Sequence, residues 1–273
     1  MLGKMLENVR EKHPLIHNIT NYVTVNDCAN ILLACGGSPI MSDDINEVEE
    51  ITTICSGLNI NIGTLNSNTI KSMMAAGKKA NELGHPVLLD PVGAGASGLR
   101  TDTACELVKE IKFDVIRGNI SEIKTLAGAS AATSGVDADE ADAVTEDSLE
   151  SVINLAKSFS ARTGAVIAVT GAIDIVADSS KAFVIRNGNP MMSRITGTGC
   201  MLSAMTAAYI AANPDNFTEA AAASVCAMGA CGELAFERLS ERDGNSTYRS
   251  YIIDEIYNLT PEKLEKSAKY EIK

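Results

Sequence analysis

Short apolar runs bounded by turn residues alternate with segments of helical periodicity along most of the chain. The runs Leu15–Ile19, Pro39–Met41, Leu58–Ile62, Val87–Asp90, Asp114–Arg117 and Val166–Thr170 predict strands. Several are almost uninterrupted apolar stretches, as expected of strands covered on both faces of a parallel sheet. Between them the spacing predicts helices over Val23–Cys35, stopped by Gly36-Gly37, over Asn68–Leu83, stopped by Gly84, and over Glu122–Ala127. Ile173–Ala177 and Ala182–Arg186, joined by Asp178-Ser179-Ser180-Lys181, read as an antiparallel hairpin at a mixed edge of that sheet. From Met201 the pattern turns helical, over Met201–Ala212, Phe217–Leu239, Ser250–Asn258 and Pro261–Ala268, predicting cover for one face. There is no internal repeat and no long linker, so residues 1–273 read as one α/β domain with a mostly parallel sheet.

One stretch breaks the alternation. Ala131–Glu150 has few large apolar residues and seven carboxylates between Asp137 and Glu150, which predicts an exposed connection, either a solvated link or a lid.

Composition narrows the function classes. The chain has a formal charge of −12, no Trp and 4% aromatic residues, which excludes the basic face and stacking surface of a nucleic-acid binder. An anionic ligand would need local donors and a metal. The seven cysteines are odd in number and none are spaced C-x-x-C, which reads as reduced thiols without a disulfide framework or zinc site. The N-terminal MLGKMLENVREKHP lacks an apolar signal core, and no apolar run reads as a membrane span, so a cytoplasmic location is expected.

Candidate chemistry collects at predicted strand ends. Arg194-Ile195-Thr196-Gly197-Thr198-Gly199-Cys200 runs straight into the apolar helix that follows. A helix start offers unpaired N–H groups and roughly half a positive charge, and glycines let an anion approach that backbone. Cys200 there is either a thiol biased toward thiolate, able to accept a proton, or a small buried apolar residue. Asp90 ends the strand Val87–Asp90, where ligands of open α/β sheets gather. The following Gly93-Ala94-Gly95-Ala96-Ser97-Gly98 spells G-x-G-x-x-G, but Asp90-Pro91 intervenes and the next strand ends in Arg117-Gly118-Asn119, not in the acidic residue of a dinucleotide fold. Arg117, Asn119 and Glu122 surround one strand-to-helix turn. Arg117 suits phosphate and Glu122 with Asp90 suits Mg²⁺; equally, Ser121 and Glu122 cap a helix and Arg117 makes a surface ion pair. Val166–Thr170 ends in a hydroxyl and Gly171, fit for a nucleotide phosphate or ribose, and no Walker A loop is present. His17-Asn18-Ile19-Thr20-Asn21-Tyr22-Val23-Thr24 and Ser38-Pro39-Ile40-Met41-Ser42 together predict a pocket with a polar rim and apolar Val23 and Met41, suited to a small heterocycle.

In this order LLDPVGAG, IRGNISE, VTG and TGTGC, with HNITNYVTVNDCAN, SPIMS and the late DEIYNL, resemble the hydroxyethylthiazole kinase family of the ribokinase-like superfamily. Ribokinase-like kinases typically carry aspartate where this chain has Cys200, and the cysteine form marks the thiazole kinases. The resemblance implies a three-layer α/β/α fold and transfer of phosphate from ATP, with Mg²⁺, to the hydroxyl of 4-methyl-5-(2-hydroxyethyl)thiazole in thiamine salvage. It places ATP contacts on Arg117 and Thr170, with Asn119 beside them, and thiazole contacts on Met41 and Gly197, with Asn21, Val23 and Gly63 as neighbours. It places the Mg²⁺-linked acids on Asp90 and Glu122, the anion hole on Gly197, Thr198 and Gly199, and the general base on Cys200. It also implies a homotrimer with sites between subunits. The alternatives are kinases of the same fold acting on hydroxymethylpyrimidine or pyridoxal, an acyl- or thiol-transfer enzyme using Cys200 as nucleophile, and a silent nucleotide binder.

Overall fold

The computed structural model describes residues 1–129 and 144–273. The strands are β1 (Leu15–Ile19), β2 (Ser38–Met41), β3 (Gly57–Asn61), β4 (Val87–Asp90), β5 (Val115–Gly118), β6 (Val166–Val169), β7 (Asp174–Ala177), β8 (Ala182–Ile185) and β9 (Tyr270–Ile272). They form one sheet in the order β2-β1-β3-β4-β5-β6-β7-β8-β9. The pairs from β2 to β6 are parallel, and those from β6 to β9 antiparallel. The mixed edge expected from the hairpin β7-β8 is present, with β9 closing it.

Period-two alternation sorts the strand side chains into two apolar cores. Leu58, Ile60, Val87 and Leu89 face a layer made by α3 (Val48–Ile54), α4 (Ser67–Leu83), α5 (Gly98–Glu110), α6 (Ile120–Ala129) and α7 (Leu149–Thr163). Ile16, Leu88, Val115 and Phe183 face the other layer, α1 (Leu2–Lys12), α2 (Val25–Cys35), α8 (Thr198–Ala212), α9 (Phe217–Glu237), α10 (Asn245–Asn258) and α11 (Pro261–Ser267). Helices α8 to α11 all cover this second face, as the periodicity predicted. The connections then deliver the C-terminal ends of β1, β3, β4, β5 and β6 and the N-terminus of α8 to one rim of the sheet.

Four helices escaped the sequence reading, and each has a physical reason. In α1, Leu2, Met5, Leu6 and Val9 are buried at helical spacing, a signal present but passed over. The seven-residue α3 is too short to show a period. In α5 the charged residues outnumber the buried Ala104 and Leu107, and α7 adjoins the acidic segment. Most of Ala131–Glu150 lies outside the described residues; in its described end Thr145, Glu146, Asp147 and Glu150 are exposed as expected, while Val144 and Leu149 are buried in the core. One helix among the described residues has the length and composition of a membrane span. Helix α9 is 21 residues long and apolar enough to cross a bilayer, and 78% of its most apolar window is buried inside the protein. Its run Ala220–Ala223 packs in the core with α8.

That core contains one poorly matched group. Tyr209 on α8 is fully buried, and its hydroxyl finds no hydrogen-bond partner among the described residues. A buried unsatisfied polar group costs about 1–3 kcal/mol. Tyr209→Phe is therefore expected to raise the free energy of unfolding by about 1 kcal/mol or more in urea titration; a loss of stability would show that the hydroxyl is satisfied.

Candidate active site

Helix α8 begins at Thr198, so Cys200 is its third residue and not the residue preceding it. Gly197 is the N-cap, at φ +93°, a left-handed conformation that only glycine adopts without strain. A Cβ there would also lie 2.6 Å from Cγ2 of Thr24. The N–H of Met201 already bonds the Gly197 carbonyl at 2.8 Å, which leaves the amides of Thr198, Gly199 and Cys200 pointing out of the helix end. Gly199 faces Arg117, whose Nη1 would stand 2.8 Å from an added Cβ.

Arg117 leaves β5 and lies across this helix end. It is not the surface ion pair that one reading of its turn allowed: its side chain is 13% exposed and pairs with Asp90 at 3.4 Å. Its Nη2 donates to Oγ1 of Thr170 at 2.6 Å, which joins the ends of β5 and β6. The Nε–H is buried with no acceptor among the described residues, so the guanidinium retains a donor for a ligand. Arg117, Asn119, Thr170, Thr198 and Gly199 share the wall of a cleft of about 520 Å³ with Asp174, which the sequence reading missed. Burial pushes the Asp174 carboxyl up to about 7, against the Gly171 amide that holds it down.

Asp90 ends β4 with no exposed surface. Its Oδ2 accepts from Nδ2 of Asn61 and from Oγ of Ser203, both at 2.8 Å. Burial raises this carboxyl to about 6, with Arg117 opposing the rise and Glu122 adding to it. Neither Asn61 nor Ser203 was singled out from sequence, although both carried a signal. Asn59 and Asn61 are polar on alternate positions of a buried strand, and Ser203 sits three residues after Cys200 on the same helix face.

Glu122 behaves as the helix cap that its position allowed. Its Oε2 accepts from the Asn119 amide at 2.8 Å while Asn119 Oδ1 accepts from the Glu122 amide at 2.8 Å, a reciprocal capping pair at the start of α6. Its Oε1 accepts from the Gly93 amide at 2.8 Å, so the glycine loop after Asp90 closes on Glu122 and cradles no dinucleotide. Among the described residues no group of three or more His, Cys, Asp or Glu side chains gathers to hold a metal. Glu122 is held by backbone N–H groups and Asp90 by side-chain donors, so the pair fits Mg²⁺ held mainly by phosphate oxygens and water, not a dedicated protein cage.

The Cys200 sulfur lies between two asparagines. Nδ2 of Asn21 donates to it at 3.0 Å and Nδ2 of Asn61 at 3.3 Å. The thiol was expected to ionise more easily at the helix start; instead its pKa is raised, by burial first and by the Asp90 charge second, with Thr24, Asn21 and Asn61 holding it down. Met41 ends β2, partly buried against the core, and Val23 is 60% exposed on the turn before α2. Both therefore sit at the same edge of the sheet, but Val23 faces outward. Gly63 follows β3 and packs on Asn21. His17 is buried and bonded to Thr52 and to the Ser42 carbonyl, a structural histidine holding β1 to α3.

The close approach of Gly199 and Arg117 generates a test. Gly199→Ala pushes the guanidinium off the helix end, so affinity for a nucleoside triphosphate is expected to fall on the order of tenfold in calorimetric titration. Thermal stability should fall as well, because the displaced guanidinium leaves the buried Asp90 with one partner fewer. An unchanged affinity would place the anion elsewhere.

Comparison with known proteins identifies the relatives of this arrangement. The family model described as "Hydroxyethylthiazole kinase family" matches residues 6–262. The hydroxyethylthiazole kinase of Clostridium acetobutylicum is 71% identical over 271 residues, covering 99% of each chain. The solved hydroxyethylthiazole kinase protein of Pyrococcus horikoshii OT3 superposes with a TM-score of 0.88 at 35% identity, over 100% of this chain and 98% of its own. A ribokinase-like superfamily protein of Enterococcus faecalis shares the fold, with a TM-score of 0.63 at 11% identity over 95% of each chain. With its match spanning nearly the whole length, the chain belongs to the hydroxyethylthiazole kinase family and has the ribokinase-like three-layer fold.

Proposed function

We propose that this chain transfers the γ-phosphoryl group of ATP to the hydroxyl of 4-methyl-5-(2-hydroxyethyl)thiazole, giving the thiazole monophosphate for thiamine salvage in the cytoplasm. One observation carries the reading: the open amides of Thr198, Gly199 and Cys200, the Arg117 guanidinium and the Cys200 sulfur converge at one rim of the sheet. Phosphoryl transfer asks chiefly for positioning and for neutralisation of charge on the group in transit, and that is what these groups offer.

Arg117, oriented by Thr170, binds phosphate oxygens, and Asn119 lines the nucleotide cleft beside it. The helix-start amides accept the developing charge on the phosphoryl oxygens. The thiazole ring lies toward Met41, Val23 and Gly197, with Asn21 and Gly63 beneath it. Asp90 and Glu122 would hold Mg²⁺, which supplies charge neutralisation to the phosphates. Cys200, as thiolate, takes the proton of the attacking hydroxyl. We read the enzyme as a homotrimer with sites between subunits. Exposed Tyr22, Val23 and Ile45, around the outermost strand β2, support self-association and explain why one substrate-binding candidate faces outward.

Release of ADP with the thiazole alcohol, compared with hydroxymethylpyrimidine and pyridoxal, tests the function. The thiazole is expected to give the highest kcat/KM, and a preference for either other alcohol would overturn the assignment. For the base role, Cys200→Ala is expected to lower kcat about 10²-fold or more with nearly unchanged ATP affinity. Because the thiol pKa is raised, the thiolate fraction grows with pH, so wild-type kcat should climb between about pH 7 and 9 and Cys200→Ala should lose that slope. An equal slope in both proteins would remove the sulfur from the proton step.

A further inference from the structure

The side-chain amides around Cys200 are fixed in orientation by their own partners. Oδ1 of Asn61 accepts from the Gly63 amide at 2.9 Å, and a backbone N–H can only donate. That pins the Asn61 oxygen toward Gly63 and turns its nitrogen toward Asp90 at 2.8 Å and toward the Cys200 sulfur at 3.3 Å. The pinned oxygen also receives Nδ2 of Asn21 at 3.2 Å, so the Asn21 nitrogen faces inward too and meets the sulfur at 3.0 Å. The Asn21 oxygen turns outward and accepts from the Thr24 hydroxyl at 3.0 Å. Neither amide can flip without setting oxygen against oxygen.

We propose that Asn21 and Asn61 are positioning residues for Cys200, a pair of locked amide donors that stabilise negative charge on its sulfur. This rests on the reading of Cys200 as the base. In the step it serves, the thiolate sulfur forms an S–H bond with the hydroxyl proton of the substrate, the substrate oxygen bonds to the γ-phosphorus, and the bond to the ADP oxygen breaks. The donors offset what opposes the thiolate, namely burial and the Asp90 charge that the same Asn61 amide contacts. Hydrogen bonds to an ionised acceptor are roughly twice as strong as neutral ones, so the pair favours thiolate over thiol. Gly63 belongs to this device. A Cβ there would lie 2.8 Å from the Asn21 nitrogen and 3.0 Å from the Asn61 oxygen, so a larger residue would break the lock.

The test reads the sulfur directly. Five of the seven cysteines are buried and only Cys105 and Cys200 are partly open, so a Cys105→Ser background confines iodoacetamide to Cys200. In that background Asn21→Ala is expected to move the midpoint of the alkylation-rate pH profile upward by about one pH unit. The rising limb of kcat should move by the same amount, with the KM for ATP within about twofold. Asn21→Leu keeps the size of the side chain, removes its donor and should shift both profiles in the same direction, which covers a failure of Asn21→Ala to fold. An unmoved alkylation profile in a folded variant overturns the cradle. A shifted alkylation profile with an unmoved kcat profile upholds the cradle and overturns the base reading.

Discussion

A carboxylate cut off from water must be surrounded by donors, and Asp90 sets this requirement for the whole site. Desolvating such a group costs several kcal/mol unless partners replace the water. Its partners come from three elements: Asn61 from β3, Arg117 from β5 and Ser203 from α8. Satisfying one buried charge therefore fixes the register of α8 against the sheet. Ser203 and Cys200 lie three residues apart on the same helical face, so placing the serine on Asp90 also places the sulfur over Asn61. The same carboxylate holds the guanidinium across the first turn of α8. Position of the sulfur, the arginine and the open amides thus follows from one electrostatic constraint.

Close packing makes that arrangement possible. Gly197 and Gly199 stand where a side chain would strike Thr24 or Arg117, so the helix start can come within bonding distance of both flanks. The chain as a whole carries a charge of −12, yet this rim presents helix amides and a guanidinium. An anion is drawn to it by local donors and not by the field of the whole molecule. The apolar helices α8 and α9 behind it share the buried core, which gives the rim a rigid backing.

Much of this was legible in the sequence because it is written in short-range pattern. Six parallel strands, the hairpin and the late helices follow from apolar runs and their turn residues, and the strand-end motifs bring Asp90, Arg117, Thr170 and Gly197–Cys200 to one rim. What escaped depends on partners distant in the chain. Asn61 and Ser203 are ordinary residues until the sheet sets them against Asp90. Glu122 looked equally suited to a metal and to a cap, and only the approach of the Gly93 amide shows how fully the cap uses it. The thiol was misjudged for the same reason. A helix start is a local feature, whereas the burial and the Asp90 charge that raise the Cys200 pKa come from the fold.

A raised thiol pKa does not disqualify the sulfur as a base. Raising it by one unit removes about tenfold of the thiolate at neutral pH, but the thiolate that remains is a stronger proton acceptor, so the rate falls by less than tenfold. Aspartate in this place would ionise more readily than the thiol and be the weaker proton acceptor, even though the same burial and Asp90 charge would raise it. It would also set a second carboxylate close to Asp90, whose own carboxyl is already raised by burial. A neutral thiol adds no charge beside Asp90 at rest, and becomes anionic only in the fraction of molecules ready to react. Cysteine at position 200 thus trades abundance of the base for compatibility with the buried carboxylate that organises everything around it.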